Sequence, residues 1–177
     1  YMKIFSYLEC KDQELISRDI YNYLSVHTSI LINKLPWSIL PTLEILNYVP
    51  ELNKFLLSLN LIATSISVLQ YFESRKIHVD TIIPPRINFP VRNTTGTAKT
   101  YFYECENIVH TPTVNESGVP CQRMTYSSIK ELGFFELTKP VVFNPGIPHR
   151  VIIDGKLDEP RIALTIFFKD PPYFLLN

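Results

Sequence analysis

The chain has 177 residues, 17 basic and 17 acidic side chains, zero formal net charge and 46% hydrophobic residues. This composition excludes a disordered tail and predicts one domain over 1–177, with helical cover over 1–60 and a β core over 61–170. Scattered cations predict no nucleic-acid footprint, and apolar runs broken by Asn, Ser, Lys or Pro predict no membrane-spanning helix.

The opening Y-M-K-I-F-S-Y-L-E-C-K-D meets acids too soon to read as a secretory signal. From Lys11 to Val26 the spacing of Leu15, Ile20, Tyr23 and Leu24 predicts a helix with one apolar stripe. The stretch containing Pro36, Trp37 and Pro41 reads as irregular, with Trp37 as a packing residue. Pro50-Glu51 is helix-start chemistry, and Leu52, Phe55, Leu56 and Leu59 form the stripe of a second helix. Near residue 60 the pattern turns to strand. Ile62, Thr64, Ile66, Val68 and Gln70 alternate with Ala63, Ser65, Ser67, Leu69 and Tyr71.

The next segment, R-K-I-H-V-D-T, places His78 and Asp80 one residue apart. An H-x-D triplet alone is weak, and it presents both side chains to one ion only if the backbone is extended. The flanks favour extension: Ile77 and Val79 are β-branched, and Pro84-Pro85 ends the run. Arg86 and Asn88 then share a face opposite Ile87, Phe89 and Val91, so they either line a pocket or face solvent. Residues 107–122, with Pro112, Gly118 and Pro120, are the least regular stretch, read either as a loop closing over a substrate or as plain surface. Cys10, Cys105 and Cys121 are odd in number and lack a C-x-x-C pair. They predict reduced thiols and a cytoplasmic location.

Downstream, Val141 to Phe143 reads as a strand and Asn144-Pro145-Gly146 as a turn, after which His149, Val151 and Ile153 alternate with Arg150 and Ile152. Asp154-Gly155 marks another turn, and Arg161 to Phe168 is dense in β-branched and aromatic residues. His149 and Arg161 are therefore expected on adjacent antiparallel strands. A mid-strand Arg among Ile162, Leu164 and Ile166 is expected to be buried and to need a planar anion, rather than to pair with Asp158 or Glu159 at the surface. Thr165 shares its face by strand parity. His27 and His110 have no partner at ligand spacing and read as ordinary surface or core imidazoles. Two imidazoles and one carboxylate, His78, Asp80 and His149, are the donor set that holds iron(II) on one face and leaves the other open.

H-x-D, a distal His and a following Arg, in this order, resemble the iron(II)- and 2-oxoglutarate-dependent oxygenases over about residues 60–170. The text H-V-D-T-I-I-P-P-R-I-N-F-P-V-R-N followed by T-Y-F-Y looks most like their aspartyl/asparaginyl β-hydroxylase-like branch, although well-known mammalian members of that branch lack the carboxylate that Asp80 supplies here. The resemblance implies a double-stranded β-helix of jelly-roll or cupin type, with the N-terminal helices packed on one sheet. It also implies His78, Asp80 and His149 as iron(II) ligands, with Arg161 as the anchor for the distal carboxylate of 2-oxoglutarate; strand parity then offers the Thr165 hydroxyl to the same carboxylate and Arg86 and Asn88 as pocket-lining candidates. The implied activity is hydroxylation of an amino-acid side chain or small molecule by molecular oxygen, coupled to conversion of 2-oxoglutarate to succinate. Two other classes share the barrel. A cupin-like metal protein usually carries H-x-H with a Glu and a further His, and a non-catalytic jelly-roll binding protein would leave the three residues apart in space.

Overall fold

A computed structural model describes residues 3–80, 84–96, 98–114, 120–155 and 157–177, with backbone only at 113, 114 and 120–123. The elements in chain order are β1 (Phe5–Tyr7), α1 (Gln13–His27), α2 (Ile30–Asn33), β2 (Trp37–Leu40), α3 (Thr42–Tyr48), α4 (Pro50–Ser58), β3 (Ala63–Tyr71), β4 (Arg86–Arg92), β5 (Ala98–Glu106), β6 (Val109–Val114), β7 (Pro120–Thr125), β8 (Ser128–Glu136), β9 (Val141–Phe143), β10 (His149–Ile153) and β11 (Arg161–Phe168). A 3-10 turn, Tyr173–Leu176, follows. No helix among the described residues is long and apolar enough to cross a membrane.

The strands form a six-stranded antiparallel sheet, β1-β9-β4-β11-β3-β2, and a three-stranded one, β10-β5-β8. From residue 63 the chain passes between them in the order of a double-stranded β-helix. β3 lies in the large sheet, and the extended 75–78 segment bonds to β10 of the small one. β4 follows in the large sheet, β5 and β8 in the small, β9 in the large, β10 in the small and β11 in the large. The H-x-D segment thus acts as a further edge of the small sheet, tied by Arg75 N–H to Val151 O at 2.8 Å and by a two-way bridge between His78 and His149.

Parity along β11 explains why this sheet needs cover on both sides. Ile162, Leu164, Ile166 and Phe168 join Ile66, Val68, Ile87 and Phe89 in a core completed by Ile16, Ile20, Tyr23 and Leu24 of α1, Ile45 of α3, and Leu52, Phe55 and Leu56 of α4. The helices therefore cap one face of the large sheet. The opposite face, carrying Arg161, Ala163 and Thr165, looks toward the small sheet, where Ala163 packs with Phe102, Phe135, Leu137, Val141 and Phe143.

Four expectations are corrected. The Pro36–Pro41 stretch contains the edge strand β2, paired to β3 with Trp37 opposite Leu69. Both prolines sit just outside it, where a missing N–H costs no ladder bond, and Trp37 is 39% exposed rather than packed. In α1, Ile16 and not Leu15 completes the buried stripe, since Ile16, Ile20, Tyr23 and Leu24 fall on one side of a 3.6-residue turn. Residues 107–122 contain most of a hairpin, β6 with β7, inserted between β5 and β8, in which Val109 faces Thr125. Residues 115–119, including Gly118, lie outside the described part. At the hairpin's base Met124 packs with Ile77 and Tyr103 on the back of the H-x-D segment. Finally, β10 and β11 are not neighbours: β10 pairs with β5, and β11 lies between β4 and β3. The turn after Ile153, with Gly155 at φ +81°, carries the chain across to the facing sheet instead of folding it back as a hairpin.

Candidate metal centre

His78 and His149 are held opposite each other by reciprocal backbone bonds, His78 N–H to His149 O at 3.0 Å and His149 N–H to His78 O at 2.9 Å. Their rings lie 4.6 Å apart. Asp80, two residues on and on the same side, is tied through its N–H to Pro145 O at 3.2 Å. The turn that supplies Pro145 is shaped by Asn144, whose Oδ1 accepts from Gly146 N–H. The result is a cluster in which one ligand atom from each of His78, Asp80 and His149 lies within 4.8 Å of the others. Asp80 Oδ1 is 3.7 Å from His78 Nε2 and Oδ2 is 3.5 Å from His149 Nε2. Three donors about 2.1 Å from one ion stand roughly 3 Å from one another, so a modest contraction would close the cluster on an ion.

The donor chemistry fits a metal. The Nδ1 atoms of His78 and His149 sit 2.8 Å from Lys76 O and Ile147 O, respectively. A carbonyl only accepts, so in each neutral ring Nδ1 carries the proton and Nε2 presents its lone pair to the cluster, which is how outer hydrogen bonds orient ligating imidazoles. His149, 5% exposed and set against the rings of Phe102 and Phe143, is pushed down to about 4 by burial and then by the adjacent His78. It is therefore neutral, as a ligand must be, at ordinary pH. His78 and Asp80 are partly exposed, so the cluster has a buried wall and an open side.

Across the interior, Arg86 on β4 bonds through Nη2 to Asp80 Oδ2. Its guanidinium lies 4.9 Å from the Phe167 ring and 5.7 Å from that of Phe143. Burial pulls Arg86 below its usual range, partly offset by Asp80. Arg86 and Asn88 thus both face inward. Cross-strand register places Asn88, Thr165 and Ser67 in one row over β4, β11 and β3. Ser67 Oγ and Asn88 Oδ1 are buried without a hydrogen-bond partner among the described residues.

Arg161 lies four residues from Thr165 on the same face and directly opposite Tyr71. It is 2% exposed, and Nη1 has no hydrogen-bond partner among the described residues. Burial lowers it to about 10, and its chief electrostatic neighbour is Tyr71 rather than a carboxylate. The surface alternative is closed, because Glu159 pairs with Arg92. Tyr71 was not singled out by the sequence. Burial pushes its phenol up, and the charges of Arg75, Arg161, Asp80 and Arg86 all act on it. Its signal was the polar face Ser65, Ser67, Tyr71 of the 62–71 alternation, but only the β3–β11 register assigns that face to the interior. His27 instead stacks on Tyr23 and meets Tyr48 edge-on, and His110 is exposed on β6, so neither joins the cluster.

No family model and no curated protein sequence matches the chain. Among solved structures, a Pseudomonas putida prolyl-4-hydroxylase is similar at 14% identity and TM-score 0.49, covering 94% of this chain and 92% of that one. A non-heme monooxygenase, ThoJ in a nickel complex, is similar at 12% identity and TM-score 0.49, covering 93% and 73%. AviO1 from Streptomyces viridochromogenes Tue57 is similar at 12% identity and TM-score 0.40, covering 97% and 91%. Likenesses this distant assign no activity, and the double-stranded β-helix stands on the chain's own strand order.

Proposed function

We propose that this protein is an iron(II)- and 2-oxoglutarate-dependent dioxygenase that hydroxylates an amino-acid side chain or a small molecule. The observation that carries this reading is Arg161, a buried guanidinium with no carboxylate partner among the described residues, on the same interior face as Thr165 and Asn88. A buried charge left unpaired is costly, and a planar fork is matched by a carboxylate. A ligand carrying one carboxylate for Arg161 and a second chelating group for the metal meets both needs.

In this mechanism His78, Asp80 and His149 hold the ion, with both imidazoles fixed by their Nδ1–H bonds to backbone carbonyls. Iron(II) bound there supplies the oxygen activation that no side chain provides. Arg161 fixes the far end of the co-substrate, while Tyr71, Thr165, Ser67 and Asn88 carry hydroxyl and amide groups on neighbouring strands of the same sheet. Phe102, Phe143 and Ala163 pack together as an apolar cluster between the sheets. The free thiols of Cys10 and Cys105 fit a reducing, cytoplasmic setting.

The test is succinate release by wild-type protein with iron(II), ascorbate, oxygen and varied 2-oxoglutarate. Slow release without the true substrate is expected. Arg161→Lys, which keeps the charge and loses the fork, should raise the required 2-oxoglutarate about tenfold or more, as loss of roughly 1.4 kcal/mol implies. No succinate and no 2-oxoglutarate binding by the iron-loaded protein would favour a cupin-like metal protein or a non-catalytic jelly roll instead.

A further inference from the structure

Resting on the metal-binding reading above, we propose that Arg86 is a positioning residue that restricts how much of the Asp80 carboxylate a metal ion can use. Arg86 is buried on β4, its guanidinium packed against the rings of Phe167 and Phe143 and bonded to Asp80 Oδ2. Rotating the fork away would sacrifice both ring contacts, so its direction is fixed. Asp80 itself is partly exposed, and its backbone tether among the described residues is its N–H bond to Pro145 O. Its carboxylate plane is therefore set by Arg86.

Two effects follow. Oδ2, 3.5 Å from His149 Nε2, already accepts from Arg86, whereas Oδ1, 3.7 Å from His78 Nε2, is the oxygen free of the guanidinium, an arrangement that favours one coordination position at Asp80 over two. The guanidinium also neutralises part of the carboxylate's charge and repels a cation nearby. Arg86 thus trades metal affinity for an open position at which co-substrate and oxygen can bind. A merely structural Arg86 would have the opposite signature, because its loss would leave Asp80 unheld and weaken metal binding.

The experiment titrates Co(II) into metal-stripped wild type, Arg86→Met and Arg86→Lys, followed by calorimetry and by visible absorption, which responds to coordination number. Arg86→Met keeps length and ring contact but removes charge and fork. It should bind Co(II) roughly tenfold more tightly, since a neighbouring like charge is gone, with an altered spectrum and weaker subsequent uptake of 2-oxoglutarate. Arg86→Lys should stay close to wild-type affinity yet shift the spectrum, because an ammonium cannot hold the carboxylate plane. Folded Arg86→Met with unchanged or weaker Co(II) binding would overturn the proposal. If that variant does not fold, a wild-type spectrum in Arg86→Lys would overturn it. Failure of wild type to bind Co(II) at all would remove the metal reading together with this one, whereas binding by wild type with unchanged variants would remove the Arg86 role alone.

Discussion

Replacing Arg161 by Met should make the metal-stripped protein more stable while abolishing its response to 2-oxoglutarate. Arg161 is 2% exposed, lacks a partner at Nη1 among the described residues and faces Tyr71 rather than an acid. Burial draws it down from the ordinary arginine range to about 10, and at 1.36 kcal/mol per pH unit that drop corresponds to about 3 kcal/mol spent at pH 7 on keeping the group charged inside the protein. Met fills similar space without charge, and replacing buried ions by apolar groups of like volume commonly gains about 1–4 kcal/mol. With urea slopes of roughly 1–3 kcal/mol per molar, the unfolding midpoint should rise by about 1 M or more. Adding iron(II) and 2-oxoglutarate without oxygen should raise the wild-type midpoint further than iron(II) alone and leave the variant where iron(II) alone puts it. A variant less stable than wild type by 2 kcal/mol or so would refute the reasoning, because it would mean that the guanidinium has a native partner inside the fold.

His149 gives a pH window. Its imidazole is depressed from 6.5 to about 4 in the folded protein, so between those values the unfolded chain binds the extra proton and the folded one resists it. Stability of the metal-stripped protein should therefore be intact above pH 6.5 and fall by about 3 kcal/mol as pH drops to 4; His149→Asn should flatten that part of a urea-midpoint profile. On the helix-covered face, Leu164→Ala should cost about 2–5 kcal/mol in chemical denaturation, because Leu164 is fully buried between β3, β4 and the helices.

The strands bearing the site were legible because their alternation is strong. His149 to Ile153 and Arg161 to Phe168 have the bounds that β-branched density and the flanking turns suggest. Convergence of His78 and Asp80 was legible from the i, i+2 spacing, although the bridge to His149 and the flanking bonds of Arg75 and Asp80, rather than a long ladder, keep that segment extended. Sequence could not reveal that β10 and β11 lie in facing sheets, since a turn with a left-handed Gly155 serves a hairpin and a sheet-to-sheet crossing equally well. Nor could it choose a partner for Arg86 or an orientation for Tyr71. Both depend on long-range register: Arg86 opposite Phe143 on β9, and Tyr71 opposite Arg161 on β11. The β6–β7 hairpin was hidden by Pro112, which disfavours a central strand but is admissible in a two-stranded ribbon.

The central claim, that His78, Asp80 and His149 form an iron site, is tested most directly by anaerobic calorimetric titration of iron(II) into wild type and Asp80→Ala. Asp80 is the only carboxylate in the cluster, with oxygens 3.5 Å and 3.7 Å from the two imidazole Nε2 atoms. Wild type should take up one equivalent of iron(II), and Asp80→Ala should lose most of that affinity because the charged donor is gone. Equal iron(II) binding by the two proteins would contradict the assignment.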